Sequence, residues 1–489
     1  METSRCIPKS RRWRGCEKRN MGEVTNTETL SMDRQTSKAK RLKQIEEMLW
    51  ANPEGLTRAE IARSLGVDRS TISRYIDSND LPSDIFADEF DKEKLKLDRR
   101  LQVSQIIVRN LRSLVDVTLD LKSLNVVIGP NGAGKTALME VLLLLHSGAN
   151  GDLSSFFDER GGFHSVISAT TNQTGQQPMT VGARLAPPPH HGSKVTTFEV
   201  ELRSLQIGYA VTAESLESGT ASTPGNLRSV EYAFQDGKLY TSKSANEPIP
   251  LPKLRSSELM LTQLPTDRPF RESLRFKEFL SAIDFYPPLQ VTGRAPIRLP
   301  QPLTPATKPD AEGSNLFSVL YNLRISHPDT FERLLALMRQ AFPGLKRLEF
   351  PVVGAGQVTL AWYDESSKQP FYPGQLSEGT LRFLWLAAIL LTPAQSSILL
   401  LDEPEVSLHP QLIRLVVALL QDYAMRSQVV VATHSSDMVR WLEPDEVIVA
   451  DKEDGQTRFT RADTLDLAEW LAEYDLRDLW QMGHLGGRV

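Results

Sequence analysis

The chain has 489 residues, 24% of them charged and 40% hydrophobic, with a formal net charge of −5. At roughly 100–200 residues per domain this is two to four domains with ample chain for a large core. The mild acidity excludes a protein that coats nucleic acid by bulk charge. The two cysteines, Cys6 and Cys16, both lie near the start, which excludes a disulfide framework and a multi-cysteine zinc site.

The opening METSRCIPKSRRWRG has no apolar core and is not a secretory signal. Residues 1–39 are rich in Arg, Lys, Ser and Thr and read as a disordered basic tail. A solvated tail is the preferred reading over a nucleic-acid-binding arm. Residues 40–80 read as three helices. Ile45, Met48 and Leu49 stripe the first. Thr57 with Glu60 forms a capping box opening the second, which carries Ile61, Ala62 and Leu65. Gly66-Val67 makes a tight turn, and Asp68 caps a third helix that buries Ile72. This is the pattern of a small all-α helix-turn-helix domain. Residues 81–100 read as a charged linker containing Pro82.

From about Leu101 the periodicity changes to short strands: Ile106–Val108, Val115–Leu119 and Leu124–Ile128, then a helix from Lys135 to His146. Between about 150 and 370, residues 196–215 and 229–241 alternate like antiparallel strands, with Asp236-Gly237 as a hairpin turn. Residues 329–342 read as an amphipathic helix. No internal repeat or sustained heptad occurs. The most apolar run, Leu381–Glu403, is interrupted by Arg382 and by the break from Thr392 to Ser397. It reads as a buried helix, a turn and a buried strand, not a membrane span. A soluble, cytoplasmic protein is expected.

Four motifs carry chemistry. Gly129-Pro130-Asn131-Gly132-Ala133-Gly134-Lys135-Thr136 matches G-x-x-x-x-G-K-[ST] between a strand and a helix, the context that a phosphate loop requires. Backbone N–H groups around Asn131, Gly132 and Gly134 would wrap the phosphates of ATP. Lys135 would hold the β- and γ-phosphates, and Thr136 would ligate Mg²⁺. Ile398–Pro404 reads as a buried parallel strand delivering Asp402 and Glu403 to its carboxyl end, where open α/β sheets bind ligands. Asp402 would hold Mg²⁺, and Glu403 would act as general base on the attacking water. Standing alone, such a strand could equally end in a solvated acidic loop. Val429–Ser435 is another buried strand, ending at His434, a candidate for the γ-phosphate. Gly374–Thr380 is a turn leading into a helix. Alone it would be an ordinary Ser-capped start; beside the others it is a second anion site, at Ser377 and Gly379.

The order of these elements resembles the ABC-type ATPases of the RecF and SMC kind, and more narrowly the RecF-like AAA-family ATPases of bacteria. The resemblance covers about residues 101–489. It implies an α/β P-loop ATPase of ABC/RecF type in which residues of about 150–370 form a globular lid. It also implies a homodimer that sandwiches two ATP molecules. Leu376–Thr380 would then be the signature, with Ser377 and Gly379 touching the γ-phosphate held by the other subunit. Glu405–His409 would be the D-loop at the seam. Gln173, Gln176 and Gln177 are equal candidates for the Q-loop glutamine. The chain shows no Toprim-like acidic pattern, so an effector such as a nuclease would be a separate chain.

In a helix-turn-helix the second helix enters the major groove. Its outward positions here are Arg69, Ser70, Thr71, Ser73 and Arg74, a basic, hydroxyl-rich face that favours DNA over protein contacts. Two readings follow: a DNA-associated ATPase of DNA repair or anti-phage defence, or a transcription regulator whose ATPase is a slow switch. A transporter subunit is disfavoured by the missing Gly-Gly-Gln signature.

Overall fold

The computed structural model describes residues 44, 45, 48, 56–77, 85–87, 94–97, 101–168, 177–186, 194–220, 229–242, 248, 249, 251, 254–265, 270–393, 396–467 and 469–486. The chain divides into two compact units, Met1–Arg99 and Arg100–Val489. The expected tail lies outside the described residues, as does most of the first expected helix.

In the first unit, α1 (Arg58–Leu65) and α2 (Arg69–Asp77) meet across a tight turn. Glu60 N–H donates to Thr57 Oγ1 at 3.3 Å, and Thr57 N–H donates to the Glu60 carboxylate at 2.8 Å, so the capping box closes both ways. Gly66 ends α1 at φ 63°, a left-handed position that glycine adopts without steric cost. Ile45, Ile61, Ala62 and Ile72 form a small core. The unit is not all-α, and residues 81–100 are not only a linker. Ile85–Ala87 and Lys94–Leu97 pair antiparallel, and Lys94–Leu97 also pairs with Leu56–Thr57, giving a three-stranded sheet. Such short strands set among charges carry too little alternation to be read from sequence.

The second unit contains, in chain order, β1 (Gln102–Leu111), β2 (Leu114–Asp120), β3 (Leu124–Ile128), α3 (Lys135–Ala149), β4 (Met179–Ala186), β5 (Lys194–Ser204), β6 (Tyr209–Thr220), β7 (Ser229–Gln235) and β8 (Lys238–Tyr240). It continues with α4 (Arg271–Ser281), β9 (Asp284–Tyr286), α5 (Leu316–Ser326), α6 (Pro328–Ala341), α7 (Glu378–Leu391), β10 (Ile398–Asp402), α8 (Pro410–Ala424), β11 (Gln428–Ala432), β12 (Val447–Glu453), β13 (Gln456–Arg461) and α9 (Leu476–Gln481).

A six-stranded sheet runs β9-β10-β11-β3-β12-β13, parallel except for the final antiparallel pair. A seven-stranded antiparallel sheet runs β8-β7-β6-β5-β4-β1-β2. The stretch expected as a lid is thus not one inserted body. Its β4–β8 extend a sheet begun by β1 and β2, while β9 pairs in parallel with β10. Alternation predicts a strand but not its partner, which is why the two could not be told apart.

Each central strand shares its side chains between two cores. Leu399, Leu401, Val429 and Val431 face the helical layer containing α5–α8. Ile398, Leu400 and Val430 face α3, α4 and the antiparallel sheet. Near-continuous apolar runs are what burial on both faces demands. The two sheets are stitched by the buried amide of Gln428, which donates to Val103 O at 2.9 Å and accepts from Val103 N–H at 2.9 Å.

Within the antiparallel sheet, Glu214 is fully enclosed. It accepts from Tyr232 Oη at 2.5 Å, Met260 N–H at 2.7 Å and Leu261 N–H at 2.6 Å, tying the loop before α4 to the sheet. Burial pushes its carboxyl up to about 7 despite these donors. A raised acid stabilises the fold below its unfolded value and withdraws that stability as pH rises through about 7. Thermal melts from pH 5 to 8 should show this fall, by about 3 kcal/mol at most, and Glu214→Gln should flatten it.

Candidate nucleotide site

The carboxyl ends of β3 and β10 converge. Asn131, Gly132, Gly134, Lys135, Thr136, Asp402 and Glu403 line one cavity of about 330 Å³, with Arg112, Ser113 and Glu140 completing it. The loop after β3 is crowded into shape. Gly134 starts α3 at φ 104°, and a Cβ there would lie 2.3 Å from Thr457 Oγ1. That hydroxyl donates to Ala133 O at 2.8 Å and meets Ser113 Oγ at 2.6 Å. The first N–H groups of α3 have no intrahelical acceptor and favour an anion.

Lys135 is buried, and its ammonium donates to the carbonyl oxygens of Gly129 at 2.7 Å and Pro130 at 3.1 Å. Burial lowers its pKa, while Glu403, Asp402 and Glu405 oppose the shift. Asp402 is raised by burial and by the neighbouring Glu403, with Lys135 opposing. Burial thus works against the charged form on both sides of the cavity, and each side's charge opposes that effect on the other. Thr136 is exposed on the wall. An exposed hydroxyl with a partly buried carboxylate is an oxygen donor set that suits Mg²⁺. Among the described residues no group of three or more His, Cys, Asp or Glu could hold a metal.

Glu403 leaves β10 at φ 43°, in the left-handed region, and its carboxylate meets His434 Nδ1 at 3.0 Å. Holding a non-glycine residue there costs about 1–3 kcal/mol, a strain found where function demands a position. The loop after β11 is braced beneath. Thr433 Oγ1 donates to Glu405 and accepts from Ser435 N–H at 2.9 Å, so His434 lies between two fixed neighbours. Glu405 is 7% exposed, burial pushes its carboxyl up, and its Oε2 has no hydrogen-bond partner. The expected seam segment Glu405–His409 thus has a buried first residue, while Ser407 and His409 are exposed.

Ser377 and Gly379 do not line the cavity. Ser377 caps α7, accepting from Thr380 N–H at 3.1 Å, and a Cβ at Gly379 would lie 2.8 Å from Ser407 O. Gln177 is exposed and also outside the cavity lining; its Oε1 accepts from Asn110 Nδ2 at 3.5 Å. Gln173 and Gln176 lie outside the described residues. Arg69 and Ser70 are exposed and Thr71 and Ser73 are half-buried around buried Ile72; the Arg74 side chain lies outside the described residues.

Sequence reasoning missed Arg112, and it named Glu405 only as the start of the seam segment, not as a buried acid bonded to Thr433. Arg112 Nε and Nη2 grip both oxygens of Glu140, at 2.8 and 3.0 Å, and Glu140 also meets Arg160 Nε at 3.2 Å. The carboxylate of Glu140 raises Arg112 further. No local pattern marks an arginine that pairs 28 residues away. The acid of Asp-Glu-Pro-Glu could have flagged Glu405, had its burial been readable.

Residues 102–176 match a family described as "AAA ATPase domain", and residues 206–439 match one described as "AAA domain, putative AbiEii toxin, Type IV TA system". Matches to AAA-type ATPase families therefore fall on both halves of the site: the first range holds the phosphate loop, the second Asp402, Glu403 and His434. No curated protein matches the chain. Among solved structures, "Crystal structure of the SmcHead bound to the C-winged helix domain of ScpA" is 13% identical with a TM-score of 0.41, covering 73% of this chain and 97% of that one. "SMC head domain from Thermotoga maritima" is 12% identical with a TM-score of 0.37, covering 74% and 98%. A Smc head with an extended coiled coil, bound to the C-terminal domain of ScpA derived from Pyrococcus furiosus, is 11% identical with a TM-score of 0.41, covering 76% and 99%.

Replacing Glu403 by glycine relieves the left-handed strain but removes the carboxylate. Urea unfolding should find Glu403→Gly at least as stable as the parent chain; a loss above about 1 kcal/mol, measured against Glu403→Ala, which loses the same His434 contact, would show that the position is unstrained.

Proposed function

We propose that the chain binds and hydrolyses ATP as a nucleotide-gated, head-to-tail homodimer. The observation that carries this reading is the meeting of Lys135 and Thr136 with Asp402 and Glu403 in one cavity, from segments far apart in sequence. Loop N–H groups and Lys135 bind the triphosphate. Lys135 would exchange its present bonds to Gly129 and Pro130 for phosphate oxygens. Thr136 and Asp402 would hold Mg²⁺, which supplies charge neutralisation at the β- and γ-phosphates. Glu403 accepts the proton of the attacking water as its oxygen bonds to Pγ and ADP departs. His434 orients Glu403 and lies beside the γ-phosphate. Ser377 and Gly379 complete the partner's site. Their place outside their own chain's cavity supports this assignment.

The biological setting proposed is DNA repair or anti-phage defence, with α2 of the N-terminal unit on DNA through Arg69, Ser70, Thr71, Ser73 and Arg74. The toxin–antitoxin wording of one matched family supports the defence arm. Among the described residues no helix is long and apolar enough to cross a membrane, and a cytoplasmic location is proposed.

ATP turnover and oligomeric state, measured for wild type and Glu403→Gln with and without duplex DNA, test this reading. Hydrolysis by wild type is expected, with Glu403→Gln reduced at least about a hundredfold and trapped as an ATP-bound dimer. Turnover stimulated by DNA supports the DNA-linked role. No turnover and no dimer in either protein overturns the mechanism.

A further inference from the structure

The segment leading to Ser377 is held by an arginine from a distant part of the chain. Arg298 ends a short 3-10 turn, Pro296–Arg298. Its Nη1 donates to Pro373 O at 2.8 Å and Leu376 O at 3.0 Å, and its Nε donates to Val291 O at 2.9 Å. All three acceptors are neutral backbone carbonyls, so the guanidinium works as a rigid fork joining three strands of loop and not as half of an ion pair.

Both ends of this clamp are anchored. On one side Ile297 is fully buried in the helical core, with Gly313 packed against it. Three residues beyond Arg298, Gln301 donates to Gly313 O at 2.6 Å and accepts from Phe317 N–H at 2.8 Å. On the other side, Leu376 is followed directly by Ser377, the cap of α7. The path from core to Ser377 is thus Ile297, Arg298, Leu376 carbonyl, Ser377. Arg298 does not line the cavity that holds Lys135.

We infer that Arg298 is a positioning residue acting in trans: it presets Ser377 and Gly379 for the nucleotide held by a second copy of the chain, and leaves its own chain's phosphate loop untouched. This rests on the head-to-tail dimer proposed above. A shift of about 1 Å in a positioned contact can lower a rate on the order of a hundredfold, and the loss of the fork leaves the Leu376 carbonyl free to move.

Mixing experiments test the inference. Arg298→Ala alone should bind MgATP as wild type does, with turnover down on the order of tenfold to a hundredfold. Mixed with Lys135→Ala, it should regain turnover. In the mixed dimer one composite site pairs an intact Lys135 with the intact Arg298 of the other subunit. The reference pair is Ser377→Arg with Lys135→Ala. Recovery in both pairs supports the inference. Recovery in the reference pair only means that Arg298 acts on its own chain, which overturns the inference and leaves the dimer standing. Recovery in neither overturns the dimer and the inference together. Weakened MgATP binding by Arg298→Ala also overturns it. If Arg298→Ala does not fold, Arg298→Lys, which keeps the charge but not the fork, takes its place.

Discussion

A parallel sheet buried on both faces admits a polar side chain along its length only where hydrogen bonds satisfy it, as at Asn125 and Gln428, and this constraint organises the molecule. Leu399, Leu401, Val429 and Val431 fill one core, while Ile398, Leu400 and Val430 fill the other. Chemistry is displaced to the carboxyl ends, where each strand stops and its first polar residues emerge. Asp402 ends β10 and Glu403 follows it, Thr433 and His434 follow β11, and the glycine loop follows β3. The endings of β3 and β10 meet in the cavity, and that of β11 reaches its edge through the contact of His434 with Glu403.

The same crowding makes the site rigid. The loop at Gly134 is closed by Thr457, which reaches it from more than three hundred residues away and also touches Ser113. His434 is framed by Thr433, whose hydroxyl joins buried Glu405 to the Ser435 amide. Glu403 is held in a conformation that a relaxed glutamate would avoid. The strain at Glu403 trades some stability for a fixed position, while the two threonines fix theirs through hydrogen bonds, as preorganised sites require.

The sequence made the parallel sheet legible and left other parts obscure, for identifiable reasons. The strand before Asp402 is an unbroken apolar run and Leu124–Ile128 is interrupted only by Asn125; both occur where the pattern puts them. The phosphate loop carries its own spacing. Arg112 and Arg298 carry none, because each owes its role to a partner made adjacent only by folding. The expected lid failed for a related reason: β4–β8 have the alternation of any antiparallel strands, and only their pairing to β1 shows which sheet they extend. The two short N-terminal strands hide among charged residues, so a mixed unit read as all-α.

The stitch at Gln428 has a mechanical meaning. Gln428 is the first residue of β11, and His434 stands two residues beyond its last. A five-residue strand is about 17 Å long. Clamped between β10 and β3, it has neither loop nor glycine along that length to absorb displacement. One end is fastened to Val103 of the antiparallel sheet, the other to the residue that touches Glu403. The strand is therefore a strut with no joint: a tug on the antiparallel sheet at Val103 and a push on His434 from the cavity load the same rod from opposite ends.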